Sequence, residues 1–151
     1  MDLYENDAKH NLAETCCASI SLNDLQVLSR RDTDLIDYSQ KQVYGAIRGS
    51  HVLRSNIARL YASATSEPLR PEDVLVTNGT IQANFLALYT NVGAGDHVIC
   101  HYPTYQQLYS VPESLGAEIS LWKSSEENGW QLDVTKLKSM IKSNTKLIIL
   151  K

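Results

Sequence analysis

The chain has 151 residues, 43% of them hydrophobic, which is enough to bury one core of ordinary domain size. Its 14 basic and 17 acidic side chains leave a net charge of -3, without the clustered Lys and Arg excess of a nucleic-acid-binding surface. The apolar run Leu147-Ile148-Ile149-Leu150 is far below the roughly 18 residues that cross a bilayer, and the acidic start lacks a secretory layout, so the sequence reads as cytoplasmic.

In chain order, Ser21 to Leu28 reads as a helix start, with Ser21 or Asn23 able to accept from the free amides of the first turn. Leu53, Ile57, Leu60, Tyr61 and Ala64 have the spacing of a helix stripe that faces a core. Pro68 and Pro71 break that helix, and Asp73 to Thr77 has the β-branched character of a short strand. Asn78-Gly79 ends it, and helical spacing returns at Ile81, Phe85, Leu88 and Val92. A strand from His97 to Cys100, a helix near Tyr105 to Leu115, a strand from Glu118 to Trp122, a turn at Asn128-Gly129, a helix capped by Asp133 and a strand from Lys146 to Leu150 complete the order. Strands alternating with helices predict an α/β fold, helical layers around a mainly parallel sheet.

Two of the histidines, His97 and His101, are four apart, a metal-ligand spacing on a helix. On a strand their rings share one face about 13 Å apart, at roughly 3.3 Å per residue, so no shared metal is expected. Cys16, Cys17 and Cys100 are too few and too irregular for a disulfide framework or a zinc site.

Two local features point to a ligand. Val76-Thr77-Asn78-Gly79-Thr80-Ile81 places a glycine where an extended segment turns into a helix, a geometry that lets helix amides and the Thr80 hydroxyl hold a phosphate. The plain alternative is a tight turn. Tyr102-Pro103-Thr104-Tyr105 follows the next strand, on the same sheet edge, and offers Tyr105 as a plate for a flat ring; the alternative is that Tyr105 and Tyr109 form the buried side of a helix.

Taken in order, Tyr44-Gly45-Ala46-Ile47-Arg48-Gly49 with Leu53-Arg54, Val76 to Ala83, Gly95-Asp96 and Pro103-Thr104-Tyr105 resemble the class I/II aminotransferases, the aspartate aminotransferase-like enzymes of fold type I. The resemblance runs from about Tyr44 to Leu150. It implies a three-layer sandwich of the pyridoxal-phosphate-dependent transferase kind, truncated, with residues 1–50 as an arm and small-domain segment and 51–151 as the first part of the large domain. It implies pyridoxal 5'-phosphate (PLP) as cofactor, with Asn78, Gly79 and Thr80 on its phosphate and Tyr105 stacked on its ring. Tyr44 looks like the tyrosine that reaches the phosphate of the neighbouring subunit in a homodimer, against the alternative of an ordinary, partly buried tyrosine. The substrate implied is an amino acid or oxo acid, with no nucleic acid or membrane partner.

Ser19 to Asp24 lacks the Gly-Glu-Pro stretch of many members, which leaves a carbon-sulfur lyase as a second reading. PLP enzymes need a lysine that holds the cofactor. None of the chain's lysines, Lys151 included, lies in a matching motif, so no catalytic residue is assigned, covalent attachment is not expected, and a non-catalytic remnant or interaction module is a third reading.

Overall fold

The computed structural model describes residues 7–10, 17–30, 36–64 and 67–151. The chain divides into two compact units, Met1–Tyr44 and Gly45–Lys151. A local reason is visible: Arg48 and Gly49 are tied to the second unit, because the Arg48 carbonyl accepts from Val76 N–H at 3.1 Å and the Arg48 guanidinium donates to the Glu72 carbonyl.

In the first unit, helix α1 spans Leu22–Ser29. Ser21 caps it: its hydroxyl accepts from Asp24 N–H at 3.1 Å while the Asp24 carboxylate accepts from Ser21 N–H at 2.9 Å. The Ser21 bonds hold the Asp24 carboxyl below its ordinary pKa. No residue of α1 is buried.

The second unit begins with a turn at Ala46–Gly49 and helix α2, His51–Leu60, capped by the Ser50 hydroxyl. The expected buried stripe is not realised. Ala58 is the buried residue of α2, while Leu53, Leu60 and Tyr61 are exposed. The helix rests mainly on the short 3-10 turn Pro71–Asp73, which is too small to cover a whole helix face.

The expected strand at Asp73 to Thr77 is also absent. Asp73 closes the 3-10 turn, and 74–77 belongs to no strand; the Val76 N–H bond to the Arg48 carbonyl ties it to an earlier segment without forming a ladder. β-branched residues favour extension, but a strand exists only with a partner ladder.

From Gly79 onward the elements come as the sequence predicts: α3 Gly79–Asn91, β1 His97–Tyr102, α4 Gln107–Ser114, β2 Glu118–Lys123, α5 Val134–Met140 and β3 Thr145–Ile149. The sheet is parallel throughout, in the order β2-β1-β3. The central strand is the core: His97, Val98, Ile99 and Cys100 have no exposure at all. Val98 packs with Val92 from the end of α3, with Ala117, and with Ile119, Leu147 and Ile149 of the flanking strands. The opposite face carries Trp122, whose indole N–H donates to the Asp133 carbonyl at 3.1 Å. Asp133 in turn caps α5 by accepting from Thr135 and Lys136 N–H. Helices thus pack on both faces of a parallel sheet, an α/β fold. Among the described residues no helix is long and apolar enough to cross a membrane.

A bulge at the start of β3 has a specific effect. His97 pairs with Thr145 while Val98 already pairs with Leu147, so Lys146 is the extra residue. The shift brings the Thr145 hydroxyl to His97 Nδ1 at 2.7 Å, and Ser120 Oγ meets Nε2 at 2.9 Å from the other side.

Candidate functional site

Helix α3 starts at Gly79, which has φ +78, while a Cβ there would meet nothing within 4 Å. The glycine is therefore required by backbone conformation rather than by crowding, and it leaves the turn open above the helix start. Asn78 occupies the N-cap position but makes no side-chain cap bond. Its own N–H donates instead to Gln82 Oε1 at 2.7 Å, and Thr77 Oγ1 donates to the Gly79 carbonyl at 3.0 Å. The first-turn amides of a helix have no intrahelical acceptors, and their positive end favours an anion. Asn78, Gly79 and Thr80 are all exposed. Beside the turn is a cleft of about 370 Å³, lined in part by Ala46, Val76, Asn78 and Gln82.

The second predicted feature leaves β1 through a cis Tyr102–Pro103 bond. Tyr105 lies before α4, not on it, and is 46% exposed. Tyr109 is on the helix, half-buried, with its ring edge-on to Tyr102 at 6.2 Å. The two tyrosines therefore do not form one buried helix face; Leu108 and Pro112 do that.

Gln107 links the two features. Its side chain donates to the Ile81 carbonyl at 2.7 Å and accepts from Asn84 Nδ2 at 3.4 Å, so the chain just past Tyr105 is bonded to the first turns of the helix that Gly79 opens. The start of α3 is thereby bonded to the segment that leaves the exit edge of β1.

Two further groups stand at this edge that sequence reasoning left without a role. The Lys151 ammonium lies 5.7 Å from the centroid of the Tyr105 ring, a cation–π contact of about 0.5–1 kcal/mol at an exposed site. The Lys151 carbonyl is 2.9 Å from His101 Nδ1. A carbonyl only accepts, so Nδ1 carries the proton; Nε2 lies 3.2 Å from the Ser124 hydroxyl, which itself donates to the Tyr102 carbonyl at 3.3 Å. His101 thereby ties together the exits of all three strands. Its spacing from His97 was the available signal: two rings on one strand face each reach both neighbouring strands. Among the described residues no group of three or more metal-ligating side chains converges. Tyr44 is the last residue of the first unit and fully exposed, unlike a partly buried tyrosine.

The buried Thr104 hydroxyl, one residue before the plate, has no hydrogen-bond partner among the described residues. An orphaned polar atom, an uncapped helix start and an open aromatic face together suit a ligand with an anionic end and a flat heteroaromatic ring.

A family model described as aminotransferase class I and II matches residues 2–151. The chain is 27% identical over 116 residues to tyrosine aminotransferase from Mus musculus, covering 77% of this chain and 25% of that protein. It is 33% identical over 110 residues to an aspartate aminotransferase from Sulfurisphaera tokodaii, covering 71% and 27%. A crystal structure of a PLP-dependent aminotransferase from Streptococcus suis matches with a TM-score of 0.85 and 41% identity, over 97% of this chain and 39% of that one. The chain spans about a quarter of the length of these two curated relatives.

Proposed function

Because the chain belongs to the class I and II aminotransferase family, we propose that it forms the phosphate-and-ring cradle of a PLP-dependent aminotransferase acting on amino acids and oxo acids. The observation that carries the reading is the Gln107 bridge, which holds the Tyr105 loop against the first turns of α3. In this reading the amides after Asn78 and Gly79, with the Thr80 hydroxyl, bind the cofactor phosphate, and Tyr105 fixes the ring by stacking. Tyr44, fully exposed at the end of the first unit, reaches the phosphate held by a second copy in a homodimer. When bound, PLP supplies the carbonyl that takes up an amino group and the ring that accommodates the electron pair released at the substrate carbon. No lysine of this chain matches the family's cofactor-holding motif, so the cradle binds and orients without supplying that lysine.

The test uses pyridoxamine phosphate, which has no aldehyde and so reports only reversible binding. Equilibrium dialysis should show retention that exceeds that of unphosphorylated pyridoxamine about tenfold, the order of one or two charge-assisted hydrogen bonds. Thr80→Ala and Tyr105→Leu should each weaken it. Equal retention of the two compounds would remove the phosphate site, and with it this reading.

A further inference from the structure

Asn78 stands at the N-cap of α3, yet its side chain makes no cap bond. An N-cap side chain ordinarily accepts from the second or third amide of its helix, which in α3 are those of Thr80 and Ile81, and so fills the place an anion would take. Among the described residues no carbonyl or side chain outside the helix accepts from those two amides. The turn is held from its other side. Gln82 reaches back one turn, where its Oε1 accepts from the Asn78 backbone N–H at 2.7 Å, and the Gly79 N–H donates to the Thr77 carbonyl at 2.9 Å. Gln82 and Asn78 both line the cleft of about 370 Å³ beside the turn.

We propose that Gln82 is a positioning residue of the anion turn: by bonding the Asn78 backbone it fixes the helix start and leaves the Thr80 and Ile81 amides to the ligand's anionic end. The inference rests on the cradle reading and adds to it a residue that acts through the backbone of Asn78.

Two ways of stabilising this helix start compete. In one, the Asn78 side chain turns onto the Thr80 or Ile81 amide, a neutral cap that satisfies the helix and blocks the anion. In the other, that side chain stays off, Gln82 satisfies the Asn78 N–H, and the first-turn amides remain open to an external acceptor. A capping box contains both kinds of bond, a side chain on a first-turn amide and a Glu or Gln on the N-cap amide. In α3 only the second kind is made. The residue type matters, because leucine offers no acceptor and glutamate brings a negative charge to the anion's side, whereas glutamine accepts at Oε1 without charge. Any population of the self-capped form lowers the apparent affinity in proportion, so the Gln82 bond acts on binding by keeping that form rare.

The experiment is amide hydrogen exchange followed by NMR on the full chain, with and without pyridoxamine phosphate, beside the dialysis assay. Without ligand, the Asn78 amide should exchange about tenfold more slowly than those of Thr80 and Ile81. The ligand should slow Thr80 and Ile81 and leave Asn78 unchanged. Gln82→Leu should expose the Asn78 amide, protect Thr80 or Ile81 before ligand is added, and lower retention of pyridoxamine phosphate about fivefold, the equilibrium weight of one N-cap bond. Adding Asn78→Ala to Gln82→Leu removes the competing cap and should recover retention, which a mere loss of helix stability would not allow. Gln82→Glu should keep the Asn78 amide protected, since a carboxylate accepts the same bond. Gln82 is exposed, so these changes leave the core untouched. An Asn78 amide as labile as its neighbours, undiminished retention in Gln82→Leu, or retention that stays low in the double variant overturns the proposal. If the parent still prefers pyridoxamine phosphate to pyridoxamine in that case, the cradle reading stands alone. If the parent shows no such preference, the cradle reading falls and takes this role of Gln82 with it.

Discussion

Gly49 offers a perturbation whose cost can be worked from the structure. It sits at φ +92, and a Cβ added there would lie 2.5 Å from Val76 Cγ2 and 2.6 Å from Val76 Cβ. Gly49→Ala therefore pays twice. A non-glycine residue in the left-handed region costs about 1–2 kcal/mol, and forcing a methyl into occupied space costs about 1–3 kcal/mol. Val76 cannot retreat without cost, since its N–H is bonded to the Arg48 carbonyl beside Gly49. The expected loss is about 2–5 kcal/mol, measured by urea unfolding followed by circular dichroism. Combining it with Val76→Gly, which removes every clashing atom, should recover the steric share as a coupling energy of about 1–3 kcal/mol and leave the backbone share in place. Strict additivity of the two changes, or a Gly49→Ala variant as stable as the parent, would refute the reasoning. Retention of pyridoxamine phosphate should fall as well, because Val76 leads directly into the Gly79 turn.

His97→Leu should destabilise the chain by about 1–3 kcal/mol by orphaning the Ser120 hydroxyl, and His97→Leu with Ser120→Ala should regain part of that in the same unfolding assay. Asp73 is held at about 2, first by its side-chain hydrogen bonds to Arg70 and then by the bond from Arg70 N–H. Its folded value is depressed below the ordinary 3.8, so whatever stability it contributes is complete above 3.8 and fades as pH falls through about 2. A carboxyl NMR titration checks this, and Arg70→Ala should move the Asp73 midpoint back towards 3.8. Burial pushes the Cys100 thiol up to about 11, whereas Cys17 is exposed. Iodoacetamide at pH about 8 should label Cys17 in the native protein and reach Cys100 only after denaturation, read by peptide mass.

What the sequence disclosed was local. Breakers and period placed β1, β2, β3 and the three helices of their region, and the Asp133 cap was legible because its partners lie two and three residues away. Val74 and Val76 misled because strand formation depends on a neighbour far along the chain. The stripe of α2 misled likewise: spacing shows that Leu53 and Leu60 share a side of the helix, not that anything covers that side. At the candidate site, Gly79, Thr80 and Tyr105 were marked by turn and loop chemistry and Asn78 by the family resemblance, whereas Gln107, His101 and Lys151 act across the fold and belong to no short motif.

The central position of β1 also sets an order of assembly. His97 is 23 residues from Ser120 on one side and 48 from Thr145 on the other, so recruiting β3 closes a chain segment about twice as long, at an extra entropic cost of about 0.6 kcal/mol. The β1–β2 pair is accordingly the earlier partnership and β3 the later arrival. Amide hydrogens of β3 should exchange with solvent sooner than those linking β1 to β2, and each such opening would carry Lys151 away from its tyrosine before the rest of the sheet lets go.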